Sequence, residues 1–169
     1  KPLTPIRLKY NYSGITYDVF YGMVESIKHS WLGDKGFGPI AELSCVDIFK
    51  TLNRFPLGDY VWNNEDYPQE LSGSRISRVL DELPYVGAGG WPGTMRDLDA
   101  GQVSIIPYAP AQATDRENAL EHLQRVAEAE NGIFFVAGDG DIVFQDSTAR
   151  QTSPLSDSQA TFTDAGTSS

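Results

Sequence analysis

The chain has 169 residues, 40% hydrophobic and 21% charged, an ordinary globular balance large enough for one domain with its own core. A single cysteine, Cys45, excludes a disulfide framework and a cysteine-ligated zinc site, and the two histidines, His29 and His122, are too few and too separated to make a metal or triad motif unaided. Net charge is −10; residues 1–50 carry six Lys/Arg against five Asp/Glu, leaving seven against eighteen for the rest, and a field of that sign disfavours binding along phosphate backbones.

The first sixty residues read as β. Ile6 to Tyr10 alternates apolar with charged, Asn11-Tyr12-Ser13-Gly14 supplies a turn, and Ile15-Thr16-Tyr17 resumes, which predicts a hairpin. Val19 to Ile27 continues as a strand with Gly22 inside it, a mark of a bulge or of close backbone approach. After the loop 32–39, Ala41, Leu43 and Cys45 alternate with Glu42 and Ser44 in another half-buried strand, and Asp47 caps a short turn over Ile48–Leu52. Three or four antiparallel strands closing into a small barrel or sandwich are expected.

Residues 56–73 are irregular, rich in Pro, Gly and aromatics. Ile76, Val79, Leu80 and Leu83 then form one stripe of a short helix that Pro84 ends, residues 87–93 make a turn cluster, and a short strand is expected within 102–108. Thr114 and Glu117 have capping-box spacing and predict a helix starting there. Ala119, Leu120, Leu123, Val126 and Ala127 form its buried stripe, His122 lies on its solvent side, and Asn131-Gly132 terminate it. Ile133–Val136 and Ile142–Phe144, joined by a Gly/Asp turn, complete a helix-plus-hairpin unit. The reading is α+β in four parts: a β-rich 1–55, a connector 56–112 with one short helix, the helix and hairpin of 113–146, and a weakly anchored polar tail 147–169. The longest uninterrupted apolar run, 133–137, is far short of the ~20 residues of a membrane span, and neither a span nor a secretory signal is expected. Lacking an initiator Met, the chain reads as a segment of a longer protein.

Candidate chemistry is sparse. In 87–93 a proline, Pro92, stands where the third glycine of a dinucleotide loop belongs, and the segment follows a helix rather than a strand. Asp139-Gly140-Asp141 lacks the other ligands of a calcium loop and reads as a hairpin turn. Asp97 and Asp99 would share one face of a strand, as a glycosidase's carboxylate pair does, yet among 23 acidic residues such a pair is expected by chance. Cys45 reads as a small core residue and His29 as a surface one. No catalytic constellation, metal site or cofactor is expected.

Residues 2–25, then Ala41–Lys50, Arg78-Val79-Leu80-Asp81, Gly90-Trp91-Pro92, Arg96-Asp97-Leu98-Asp99-Ala100-Gly101, Ala119–Gly132, Phe135-Val136 and Gly140–Phe144 resemble the minor tail proteins of long-tailed phages. The likeness runs over residues 2 to about 150, with departures at Glu82–Gly89, which is longer than the family pattern, and at Ser147–Arg150, where the arginine comes later. Its motifs are core and turn residues rather than catalytic signatures. The resemblance implies a baseplate-hub-like structural protein of the virion's tail tip, a trimer around the tube axis contacting the tube, distal tail and tape-measure proteins. Trp62, Tyr85 and Trp91 are the expected interface residues, and acid facing the lumen would let DNA slide. A cell-wall hydrolase module using Asp97 and Asp99, or a glycan-binding β module using Trp31 or Trp62, are the alternatives.

Overall fold

The computed structural model describes residues 4–31, 39–57, 67–85, 88–89, 93–108 and 117–158. Strands β1 (Pro5–Tyr12), β2 (Ile15–Trp31) and β3 (Pro39–Val46) form an antiparallel sheet in the order β1-β2-β3. The β1–β2 turn is Ser13-Gly14, both at positive φ (50° and 82°), the two-residue geometry whose twist suits a hairpin. The register skips Val19 and Glu25, so the two bulges of β2 lie on either side of Gly22. Gly22 itself marks close approach: a Cβ there would collide with the carbonyl of Val46 and the ring of Phe20.

A body of helices and short strands carries this sheet. Helix α1 (Ile48–Asn53), capped by Asp47 accepting from the Phe49 amide at 3.1 Å, leads through an isolated bridge at Pro56 to β4 (Glu70–Leu71) and helix α2 (Ser72–Glu82). The short ribbon β5 (Pro84–Tyr85) and β6 (Ala88–Gly89) precedes β7 (Arg96–Leu98) and β8 (Ser104–Ile105). Helix α3 (Ala119–Glu130) then feeds β9 (Ile133–Val136) and β10 (Ile142–Gln145), and β10 pairs antiparallel with β9 and parallel with β7. One core unites these elements: Leu52 of α1, Ile76, Val79 and Leu80 of α2, Leu123 and Val126 of α3, Ile142 and Phe144 of β10. The protein is therefore α+β.

Four expectations change. Among the described residues the first three strands stay an open meander, because β1 and β3 pair only with β2 and neither closes a barrel or a second layer. The turn at Ile48–Leu52 is a helix. Helix α3 starts at Ala119 rather than in a Thr114/Glu117 box: Asn118 Oδ1 takes the Glu121 amide at 2.9 Å, and Glu117 turns to His122 and Arg125 instead of reaching back; Thr114 lies outside the described residues. His122 is 5% exposed, not on the solvent side, because the aromatic pair Tyr67 and Tyr108 covers that face of α3.

The C-terminal end of α3, the first residue of α2 and the segments before β8 and after β10 meet on one buried carboxylate. Glu130, in the last turn of α3, accepts from Ser72 Oγ (2.8 Å), the amides of Gln102 and Val103 (3.0 and 2.7 Å) and Ser147 Oγ (3.0 Å). A negative charge at a helix C-terminus opposes the macrodipole, and these donors offset that cost. Burial alone would raise its pKa, yet the hydrogen bonds hold it below the ordinary carboxylate value. Of the polar tail, residues to 158 are described; Asp146 anchors its start by accepting from Thr148 and Ala149.

Candidate functional site

The hairpin of β1 and the first half of β2 is amphipathic, and its two faces have different fates. On one face Arg7 lies opposite Tyr21, Lys9 opposite Asp18 and Asn11 opposite Thr16. These groups satisfy one another: Lys9 pairs with Asp18 at 3.2 Å, Asn11 donates to Thr16 at 3.2 Å, and the Arg7 guanidinium sits 5.1 Å from the Tyr21 ring centre. The base of that face touches the body, where Arg7 donates to the Asp139 carbonyl and Gly140 leaves room for the Tyr21 ring, while Lys9, Asn11 and Thr16 further out are exposed.

The opposite face carries Leu8, Tyr10, Tyr12, Ile15, Tyr17 and Phe20, paired Leu8 with Phe20, Tyr10 with Tyr17 and Tyr12 with Ile15. Leu8, Tyr10, Tyr12, Ile15 and Tyr17 are 48% to 62% exposed, and Tyr10 and Tyr12 stack at 6.4 Å. Those five side chains leave on the order of 600 Å² in water, as large as the biggest patch on a typical monomer. At the other end of β2, Ile27 and Leu43 are paired and exposed as well. Along β2 the buried residues, among those described, are Gly22 and Val24 near its middle.

A second feature is acidic. Asp97 in β7 and Asp99 just beyond it line one open cavity of about 230 Å³ with Asp146, Thr148 and Ser153. Asp99 Oδ2 is engaged by the Asp146 amide at 2.9 Å, so it fastens β7 to the exit of β10. Burial, with Asp139 and Asp97 nearby, pushes the Asp141 carboxyl up. Asp139 accepts from the Asp141 amide at 3.1 Å within the hairpin turn. Among the described residues no group of three His, Cys, Asp or Glu could hold a metal ion.

The third is a buried polar and aromatic cluster between α2 and α3. Arg75, fully buried, donates to Glu70 (2.8 Å) and to the carbonyls of Pro68 (2.7 Å) and Ile106 (3.0 Å), with its guanidinium 5.1 Å from the Tyr67 ring centre. Arg78 closes on the same Glu70, and the two arginines outweigh burial to keep that carboxyl below its ordinary value. Tyr67 donates to Glu82 at 2.5 Å, and burial with that contact pushes its phenol up. His122 stacks on Tyr108 at 4.8 Å and pairs through Nδ1 with Glu117 at 3.2 Å; burial pulls its pKa below the ordinary value.

Of the expected interface residues, Trp62 and Trp91 lie outside the described residues, and for Tyr85 only the backbone, in β5, is described. The same holds for Trp31, at the end of β2. Cys45 is half-buried in β3 opposite Val24, and His29 is exposed. Sequence reasoning missed the unpartnered hairpin face, Arg75 and Glu130. The alternation from Ile6 to Tyr10 signalled an apolar face, but not that it extends through Tyr12 or that nothing in the described residues covers it. No helix among the described residues is long and apolar enough to cross a membrane. No protein-family model and no curated protein matches the chain.

Proposed function

We propose that the chain is a structural building block of a long-tailed phage's tail tip, joining neighbouring copies around the tube axis through the apolar face of its β1–β2 hairpin. One observation carries this reading: a hairpin that touches the body only at the base of its polar face, among the described residues, and leaves Leu8, Tyr10, Tyr12, Ile15 and Tyr17 exposed on the other. Two-stranded ribbons are marginal in water unless their apolar face is covered. Burying this face against a neighbour removes apolar surface from water and so favours association, and a head-to-tail contact repeated around an axis closes into a ring.

Charge argues in the same direction. Residues 51–169 carry seven basic against eighteen acidic groups, so bodies repel, while residues 1–50 are nearly balanced at six against five. Contact between copies is least opposed where it runs through the hairpin. The likeness to minor tail proteins over residues 2–150 supplies the setting, and tube, distal tail and tape-measure proteins are the further partners of that setting. The test is imaging of phage tails carrying a density label on this chain: label at the tip of the tube supports the reading, and label elsewhere in the virion, or none, overturns it. Peptidoglycan turnover abolished by Asp97→Asn or Asp99→Asn would instead establish the hydrolase alternative.

A further inference from the structure

A ring needs two different patches on every copy, because a hairpin face that met the same face of a second copy would stop at a two-fold dimer. The body carries a second apolar surface. A cavity of about 300 Å³ opens between β8 and α3, walled by Val103, Ile105, Ile106, Tyr108, Val126 and Ala129. Its volume and its apolar walls are those of a binding site. Ile106 is 77% exposed, more than any other large apolar side chain among the described residues. Of the polar groups in the lining, Arg75 and His122 are sealed from water, whereas Ser104 and Arg125 are open to it.

Arg125 decides what suits this cavity. Its guanidinium, paired with Glu117 and still 66% exposed, offers a cation to an aromatic face and N–H groups to an oxygen. An occupant with an apolar ring and a hydroxyl at its tip satisfies both the walls and Arg125, and tyrosine is that side chain. The chain presents two such groups on its other apolar surface. Tyr10 and Tyr12 stand side by side on β1, 57% and 62% exposed, with nearly parallel rings 6.4 Å apart. At that exposure they do not fill the cavity of their own copy. Charge favours the cavity of another: residues 5–18 carry Arg7 and Lys9 against Asp18, whereas residues 117–130 carry four glutamates against Arg125. Opposite signs draw hairpin to body, while two bodies repel each other.

We propose that the Tyr10 and Tyr12 side chains of one copy seat in the cavity beside α3 of the next, so that the contact between copies runs from hairpin to body. The proposal rests on the reading of the hairpin as the joining element and names the surface that it joins. In the closed ring each copy gives one hairpin and receives another, and both apolar surfaces are covered. An open chain of copies would leave one hairpin and one cavity in water at its ends, which is the drive toward closure.

The experiment compares the self-association of the full chain with that of two variants, Tyr10→Asp/Tyr12→Asp and Ile106→Lys/Ala129→Lys, by sedimentation equilibrium. All four substitutions fall at exposed positions, and urea unfolding checks that each variant keeps the parent's fold. Each variant alone is expected to associate at least about tenfold more weakly than the parent, since a charge opposes burial in an apolar contact. Ala129→Trp, which fills the cavity without adding charge, shows the same loss. Mixed in equal amounts, the two charged variants recover parent-like affinity as a heterodimer that grows no further, because the first keeps its cavity and the second its hairpin. Cavity variants that associate as strongly as the parent, or a mixture that stays monomeric while the parent associates, overturn the proposal and leave the hairpin to join another surface. A parent chain that is itself monomeric overturns the proposal together with the reading of the hairpin on which it rests.

Discussion

At the scale of single residues, buried carboxylates such as Glu130 are each held by several donors from different segments of the body. Glu130 gathers Ser72, Gln102, Val103 and Ser147, so removing its charge leaves several buried donors without a strong acceptor. Glu130→Gln is expected to lower unfolding free energy by about 2–3 kcal/mol in urea titrations. Because the folded pKa lies below the ordinary 4.5, the carboxylate's contribution is present above that value and fades as pH falls through the folded pKa. The Glu130→Gln deficit therefore shrinks in strong acid. His122 works in a different window. Its folded pKa is depressed below 6.5, so the unfolded chain takes up the proton first and stability falls as pH drops from neutral through 6.5 toward the folded value. In His122→Phe, urea unfolding measured across that range should lose this part of the slope. Neither residue was legible in the sequence: Glu130 reads as one more acid in a surface helix turn, and His122 as solvent-facing, because their partners arrive from segments 28 residues upstream (Gln102) and from Tyr67 and Tyr108.

At the scale of elements, local signals served well where the chain decides its own conformation. The stripe of Ile76, Val79 and Leu80, the left-handed Asn131 at φ 56° and the hairpin through Gly140 are all set by neighbours a few residues away. Helix α3's start was misjudged because two capping patterns compete within five residues, and Asn118 takes the N3 amide. Asn118→Ala is expected to cost about 1 kcal/mol, read as a lowered urea midpoint at unchanged slope. The parallel pairing of β7 with β10 was invisible, since three residues carry no period. Gly73 shows why the start of α2 tolerates no side chain: a Cβ would strike the carbonyls of Asp99 and Ala100, backbone that cannot give way. Gly73→Ala should destabilise by about 2–3 kcal/mol, where an uncrowded helical glycine would gain from the same change.

At the scale of the whole molecule, the sheet and the body divide the work. The body closes its own core, with Ile76, Leu123, Ile142 and Phe144 all but sealed from water, whereas the sheet buries only the middle of β2. A binary pattern of apolar and polar residues shows that a face exists and cannot tell whether its cover comes from the same chain. That is why Leu8, Tyr10 and Tyr17 suggested a closed barrel and turned out to form an open, outward face.

The decisive measurement is sedimentation equilibrium of the chain over a wide concentration range, run beside a Tyr10→Asp/Tyr17→Asp variant whose urea unfolding shows an intact body. The hairpin account predicts concentration-dependent self-association that the variant loses at least about tenfold, since charges cannot be buried unpaired in an apolar contact. A chain that stays monomeric throughout, or a variant that associates as strongly as the parent, would contradict it.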